Sequence, residues 1–233
     1  MRRIAKGQQP QGLQVYRSQG GGYPITGDAS LARSIRQALL AVQHGECAYC
    51  CGKLDTRDTR IEHFHPQSRH VANEACATES GVQVGGDSRV AWTNLLLCCD
   101  GDETNKCLSH CDVSKSASDV CKQFLNPSRI ASPRDLLVGM RSDGYLVARP
   151  SVFPDVVAAQ AVLDEILNLN SDHMSRRRAL QVGPLWAEYL QLAKHKRSRR
   201  VARKLVLVRF AQQRPSFIQA VFLDWIDRGA PHP

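Results

Sequence analysis

Residues 44–66 read HGECAYCCGKLDTRDTRIEHFHP, residues 92–99 read WTNLLLCC, and residues 110–115 read HCDVSK. Cys47 and Cys50 form a Cys-x-x-Cys pair, and Cys98, Cys99, Cys107 and Cys111 form a later cluster. Cysteine pairs on separate loops suit a tetrahedral Zn²⁺, whose thiolate ligands stand at about 2.3 Å. A redox pair would sit between a strand and the helix after it, whereas here a helical pattern precedes Cys47. Between the clusters lies Glu62-His63, an acid beside a side chain that titrates near neutrality, in a β-prone stretch. The segment 46–125 has few long periodic runs and reads as short strands and loops held by metal.

The whole chain has 233 residues, nine cysteines and a formal charge of +9. That length buries a core without disulfides, and an odd number of cysteines cannot pair completely within one chain. A hydrophobic fraction of 42% with 23% charged residues excludes a disordered tail or a disulfide-dense miniprotein. MRRIAKGQQPQG is basic but has no apolar run behind it, so no secretory leader is expected, and no stretch is apolar enough for a membrane span. The expectation is a cytoplasmic protein whose cysteines are metal ligands or buried apolar residues, the latter fitting Cys51, Cys76 and Cys121.

The charge is concentrated. Residues 171–214 hold 12 Lys/Arg against two acids, and the rest of the chain holds 19 basic against 20 acidic residues. Such a segment is the electrostatic footprint of a polyanion partner, or a solvated helix face. Arg176, Arg177, Arg178, Lys194, Lys196, Arg197, Arg199 and Arg200 are its candidate nucleic-acid contacts.

Periodicity divides the rest. Residues 1–27 are Gly- and Gln-rich and read as an extended arm. Leu31, Ile35 and Leu39 at spacing four predict a helix from Asp28 to near Gly45, capped by Asp28 or Ser30. Ser132-Pro133 is a candidate helix start, and Ser142-Asp143-Gly144 a hairpin turn between Leu136–Met140 and Tyr145–Ala148. Beyond Pro154 the pattern is helical, with Phe217, Val221 and Trp225 on one face. The expected organisation is an arm at 1–27, a metal-bound core at 28–130, and a hairpin plus helical region at 131–233 packed on that core.

The order Cys-x-x-Cys, acid-His, Asn-Leu, Cys, then Cys-x3-Lys resembles the HNH nuclease family across about residues 44–118. Asn94 to Cys99 and Cys111 to Lys115 match its spacing, whereas Glu62 replaces the usual Asp and Asp112 stands where His or Asn is commonest. Cys99 and Cys111 are also further apart than in the family pattern. The resemblance implies an α+β fold: a zinc-stabilised ββα-metal core with an N-terminal helix and a helical C-terminal region. It makes Cys47, Cys50, Cys99 and Cys111 ligands of a structural zinc, with Cys98 and Cys107 as alternates. By the same resemblance His63 is the general base, and Glu62 and Asp112 are ligands of a catalytic Mg²⁺ or Mn²⁺. Asn94 would hold the loop that orients His63, and Lys115 would contact a phosphate. His65 and His110 read as neighbours of these positions, not ligands.

Further features resemble one subfamily: the MRRIAK start, Ile61-Glu62-His63-Phe64, Asn126-Pro127, Asp143-Gly144 and Leu167-Asn168-Leu169-Asn170. These look like the PtuB nucleases of Septu anti-phage systems, relatives of which serve as effectors of some retrons. That likeness implies a PtuA-like ATPase partner of the ABC/SMC class and, in retrons, a reverse transcriptase with its DNA–RNA hybrid. The expected activity is metal-dependent cleavage of nucleic acid, with DNA favoured and RNA, tRNA included, open. The competing expectations are a catalytically inactive zinc-stabilised module for nucleic-acid binding or assembly, and a thiol oxidoreductase using Cys47 and Cys50.

Overall fold

β-Branched Thr59 and Ile61 and the apolar run Leu95–Leu97 favour extended backbone, and they form the first sheet. Strand β1 (Thr59–His63) pairs antiparallel with β2 (Leu95–Cys99), setting His63 opposite Leu95, Glu62 opposite Leu96 and Thr59 opposite Cys99. The computed structural model describes residues 1–25, 29–54, 58–69, 87–102, 108–128, 136–195, 198–211 and 216–228. Leu95, Leu96 and Leu97 are all buried, so this sheet is covered on both faces. The short helix α3 (Cys111–Lys115) follows β2 in chain order and packs against it.

The chain divides into two compact units, Met1–Leu137 with Ala148–Asn168, and Val138–Val147 with Leu169–Pro233. Residues 131–233, expected as one region, are thus shared between them.

In the first unit, helix α2 (Ala29–Val42) buries Leu31, Ile35 and Leu39 on one face, as their spacing predicts. Burying such a side chain is worth about 1.5–3 kcal/mol. The helix stops where His44 and Gly45 turn to positive φ, and Asp28 lies outside the described residues. The extended arm expected at 1–27 is corrected by the structure. Residues 11–18 form helix α1 (Gln11–Ser18), and Met1, Ile4 and Leu13 are buried. Backbone bonds from Ile4 N–H to the Pro127 carbonyl and from Leu137 N–H to the Met1 carbonyl tie the N-terminus in. Gly and Gln masked this in the sequence, because three isolated apolar side chains carry no period. Helix α4 (Val156–Ala161), capped by the Asp155 carboxylate on Ala158 N–H, continues as a π-turn through Val162–Ile166.

In the second unit, which takes all of the hairpin but Ala148, strands β3 (Val138–Met140) and β4 (Leu146–Ala148) pair as expected across Ser142-Asp143-Gly144. Gly144 has positive φ, and a Cβ there would meet the Ser175 carbonyl at 2.0 Å, so only glycine fits. Helices α5 (Asp172–His195), α6 (Arg199–Ala211) and α7 (Phe217–Arg228) complete it. Trp186 stacks on Trp225 and meets Phe222 edge-on, at centroid distances of 6.3 and 5.3 Å. The helix start at Ser132-Pro133 lies outside the described residues. No helix among the described residues is long and apolar enough to cross a membrane.

Candidate metal centre and buried acid–histidine site

The Cys47–Cys50 turn is a tight loop: Cys47 N–H donates to the Gly52 carbonyl at 2.8 Å, and Cys51 N–H to the Cys47 carbonyl at 3.0 Å. Ala48 N–H bonds the Leu97 carbonyl, which fastens the loop to β2. Cys99 comes from the end of β2 and Cys111 from the first residue of α3. The sulfurs of Cys47, Cys50, Cys99 and Cys111 all lie within 4.8 Å of one another, so these four residues can hold a metal ion such as zinc. Cys47 and Cys111 stand 3.8 Å apart, and Cys50 and Cys99 3.9 Å. The edge of a tetrahedron of sulfurs at ~2.3 Å from zinc is about 3.8 Å. Cys98 is fully buried and outside this group, because neighbouring strand residues face opposite ways. Cys107 lies outside the described residues.

Beside this centre, Glu62 and His63 are both buried. The Glu62 carboxylate accepts from the Tyr49 hydroxyl at 3.0 Å and pairs with the Lys115 ammonium at 2.8 Å. Burial raises the Glu62 pKa to about 8, and a hydrogen bond with the Asp112 carboxyl adds to the rise, against the pull of Lys115. Two carboxyl groups in hydrogen-bonding contact need a proton or a cation between them. Helix α3 thus sends Cys111 to the sulfur cluster and the next residue, Asp112, to the acid pair.

The His63 ring is fixed by its Nε2, 2.9 Å from the Arg89 carbonyl. A carbonyl only accepts, so Nε2 carries the proton and Nδ1 keeps its lone pair. Nδ1 is buried and has no hydrogen-bond partner among the described residues. Burial lowers the His63 pKa to about 4, so the ring is neutral at physiological pH. Tyr23 meets it edge-on at 5.2 Å.

Asn94 is the brace of this region. Its Oδ1 accepts His65 N–H at 2.7 Å, and its Nδ2 donates to the His65 and Ser88 carbonyls, each at 3.0 Å. It therefore pins the turn just after His63 and the segment leading to Arg89. Asn126 Nδ2 supports the neighbouring Thr93 carbonyl at 2.9 Å. Asn168 Nδ2 holds the Ser109 carbonyl at 2.7 Å, just ahead of α3.

Two expected roles are corrected. Lys115 is fully buried, donating to the His63 carbonyl at 3.0 Å as well as pairing with Glu62. Its ammonium is spent inside the protein and is not presented to a phosphate. Arg178 is buried too; its guanidinium donates to the Gly144 carbonyl at 2.6 Å and to the Leu169 carbonyl, locking the hairpin to α5. Arg176, Arg177, Lys194 and Arg200 are exposed on α5 and α6. Lys196 and Arg197 lie outside the described residues, as does the side chain of Arg199. Sequence reasoning missed Tyr23, Tyr49, Asp87 and Arg89. Asp87 pairs with the Arg89 guanidinium at 2.9 Å and accepts its N–H at 3.0 Å, which sets the carbonyl that holds His63. Only Tyr49, inside the Cys-x-x-Cys loop, carried a positional signal.

No protein-family model matches the chain, and no curated protein matches it.

Proposed function

We propose that this chain is a metal-dependent endonuclease of the HNH type, hydrolysing phosphodiester bonds of nucleic acid. The observation that carries the reading is the neutral His63, held at Nε2 by the Arg89 carbonyl with Nδ1 unpartnered, next to the Glu62–Asp112 acid pair. The run β1, β2, α3 around a four-cysteine cluster agrees with a ββα-metal core.

In this mechanism His63 Nδ1 accepts the proton of the attacking water. The rigid Nε2 contact keeps that lone pair aimed, and Asn94 fixes the backbone on its C-terminal side. Glu62 and Asp112 would hold Mg²⁺ or Mn²⁺, which supplies charge neutralisation at the phosphate. Tyr49 and Lys115 orient the Glu62 carboxylate. The four-cysteine centre is closed and serves structure alone. The exposed arginines and lysines of α5 and α6 offer a polyanion-binding surface.

The resemblance to PtuB nucleases extends the proposal to anti-phage defence with an ABC/SMC-type ATPase, and in a retron setting with a reverse transcriptase and its hybrid. A second reading, a non-catalytic nucleic-acid-binding or assembly module, is favoured by one contact. Lys115 already neutralises Glu62 at 2.8 Å. Incubating the purified protein with DNA and RNA, with and without Mg²⁺ or Mn²⁺, separates the two. Cleavage that needs the cation and His63 supports the nuclease; tight binding without cleavage, with the partner ATPase also present, supports the module.

A further inference from the structure

A second cluster of metal-ligating side chains lies outside the groups used so far. His65 follows β1, and Asp119 and Cys121 come from the turn after α3. One ligand atom from each lies within 4.8 Å of the other two. His65 Nδ1 is 3.5 Å from Cys121 Sγ and 3.9 Å from Asp119 Oδ2. For zinc bond lengths of about 2.0–2.3 Å, the nitrogen–sulfur edge of a tetrahedron is about 3.6 Å and the nitrogen–oxygen edge about 3.4 Å. The first edge is met as it stands, and the second is reached by a shift of about half an ångström.

The presentation of the three donors is fixed. Asn94 clamps both the N–H and the carbonyl of His65, so the imidazole stands on an immobile backbone. Asp119 Oδ1 accepts Cys121 N–H at 3.0 Å, which orders the turn and leaves Oδ2 toward His65. His65 and Cys121 are almost wholly buried, and Asp119 is the one partly exposed member. From these distances we infer that His65, Asp119 and Cys121 form a second, three-ligand zinc site with one position left for water or another donor. Imidazole, carboxylate and thiolate together select Zn²⁺ over Mg²⁺, which takes oxygen donors. Such an ion ties the turn after α3 to the end of β1. The inference does not depend on nuclease activity.

The test is metal content of the purified chain, stripped and reloaded with zinc, then titrated with Co²⁺. A second equivalent of zinc beyond that of the four-cysteine centre is expected. His65→Ala, Asp119→Asn and Cys121→Ser should each remove that equivalent and leave the first. In the unaltered protein, the second equivalent of Co²⁺ should give a weaker sulfur-to-metal band than the first, having one thiolate in place of four. A single equivalent in the unaltered protein overturns the inference, as does a second equivalent that survives both His65→Ala and Cys121→Ser. The Co²⁺ titration keeps the test valid where a variant fails to fold.

Discussion

His63 Nε2 lies 2.9 Å from the backbone carbonyl of Arg89, so one tautomer of a buried, neutral imidazole is selected and its Nδ1 lone pair meets no donor among the described residues. The carbonyl is in turn placed by the Asp87–Arg89 pairing. A histidine buried for packing alone would satisfy both nitrogens. In the proposed mechanism that lone pair is the one that takes the proton of the attacking water.

Asn94 should matter through position, not contact. Asn94→Ala strips partners from His65 N–H and from the His65 and Ser88 carbonyls, all of them buried. An orphaned buried group costs about 1–3 kcal/mol. The expected outcome is a loss of at least that much unfolding free energy, read as a lower urea midpoint, together with slower cleavage at saturating substrate. An unchanged midpoint would count against the brace.

Removing the ion from the four-cysteine centre should dismantle the acid pair, because Cys111 and Asp112 are consecutive on α3. Structural zinc contributes about 10–16 kcal/mol of apparent binding free energy in small domains. Chelation, or Cys47→Ser, is expected to abolish the cooperative melt of the first unit. Survival of that melt without metal would show that hydrophobic packing suffices.

Much of this centre was legible from residue order. Cys47, Cys50, Cys99 and Cys111 were expected from the resemblance to the HNH pattern, with Cys98 and Cys107 as alternates, and the fold brings the sulfurs of the first four together. The α2 stripe and the hairpin at Asp143-Gly144 follow from period and turn chemistry. The N-terminal segment was not legible, since Met1, Ile4 and Leu13 are buried by tertiary packing that carries no local period, with Met1 and Ile4 tied by backbone bonds to Leu137 and Pro127. Lys115 and Arg178 misled for a related reason. Composition reports a charge, and only the folded chain shows that carbonyls and a carboxylate absorb it.

Lys6 provides a pH signature. It is buried, donates to the Trp92 carbonyl at 2.8 Å and to the Leu95 carbonyl, and lies 4.4 Å from the Trp92 ring centre. Burial holds its pKa well below the ordinary 10.5. Below pH 10.5 the unfolded chain takes up a proton that the folded chain resists, so stability falls as pH is lowered through that window. Urea midpoints of the unaltered protein should rise from pH 7.5 to pH 10 relative to those of Lys6→Met. Parallel curves would mean that Lys6 stays charged in the fold.

The basic helices should separate into two behaviours. Arg178→Ala is expected to destabilise the second unit by about 1.5–3 kcal/mol, because it removes charge-assisted bonds to buried carbonyls. Arg176→Ala and Arg177→Ala should leave the melt in place. If α5 grips nucleic acid, each should reduce the slope of log affinity against log salt by about one. Filter binding over a salt series reads this. Unchanged slopes would assign the surface to a protein partner.

The most direct test of the proposed activity is cleavage of a mixed panel of DNA and RNA by the purified protein, with and without the proposed ATPase partner, and by its His63→Ala variant. Mg²⁺- or Mn²⁺-dependent cleavage is expected, falling by a factor of about 10²–10⁴ in the variant, with zinc content and melting unchanged. Equal cleavage by the two proteins, or none by either under any cation, would contradict it.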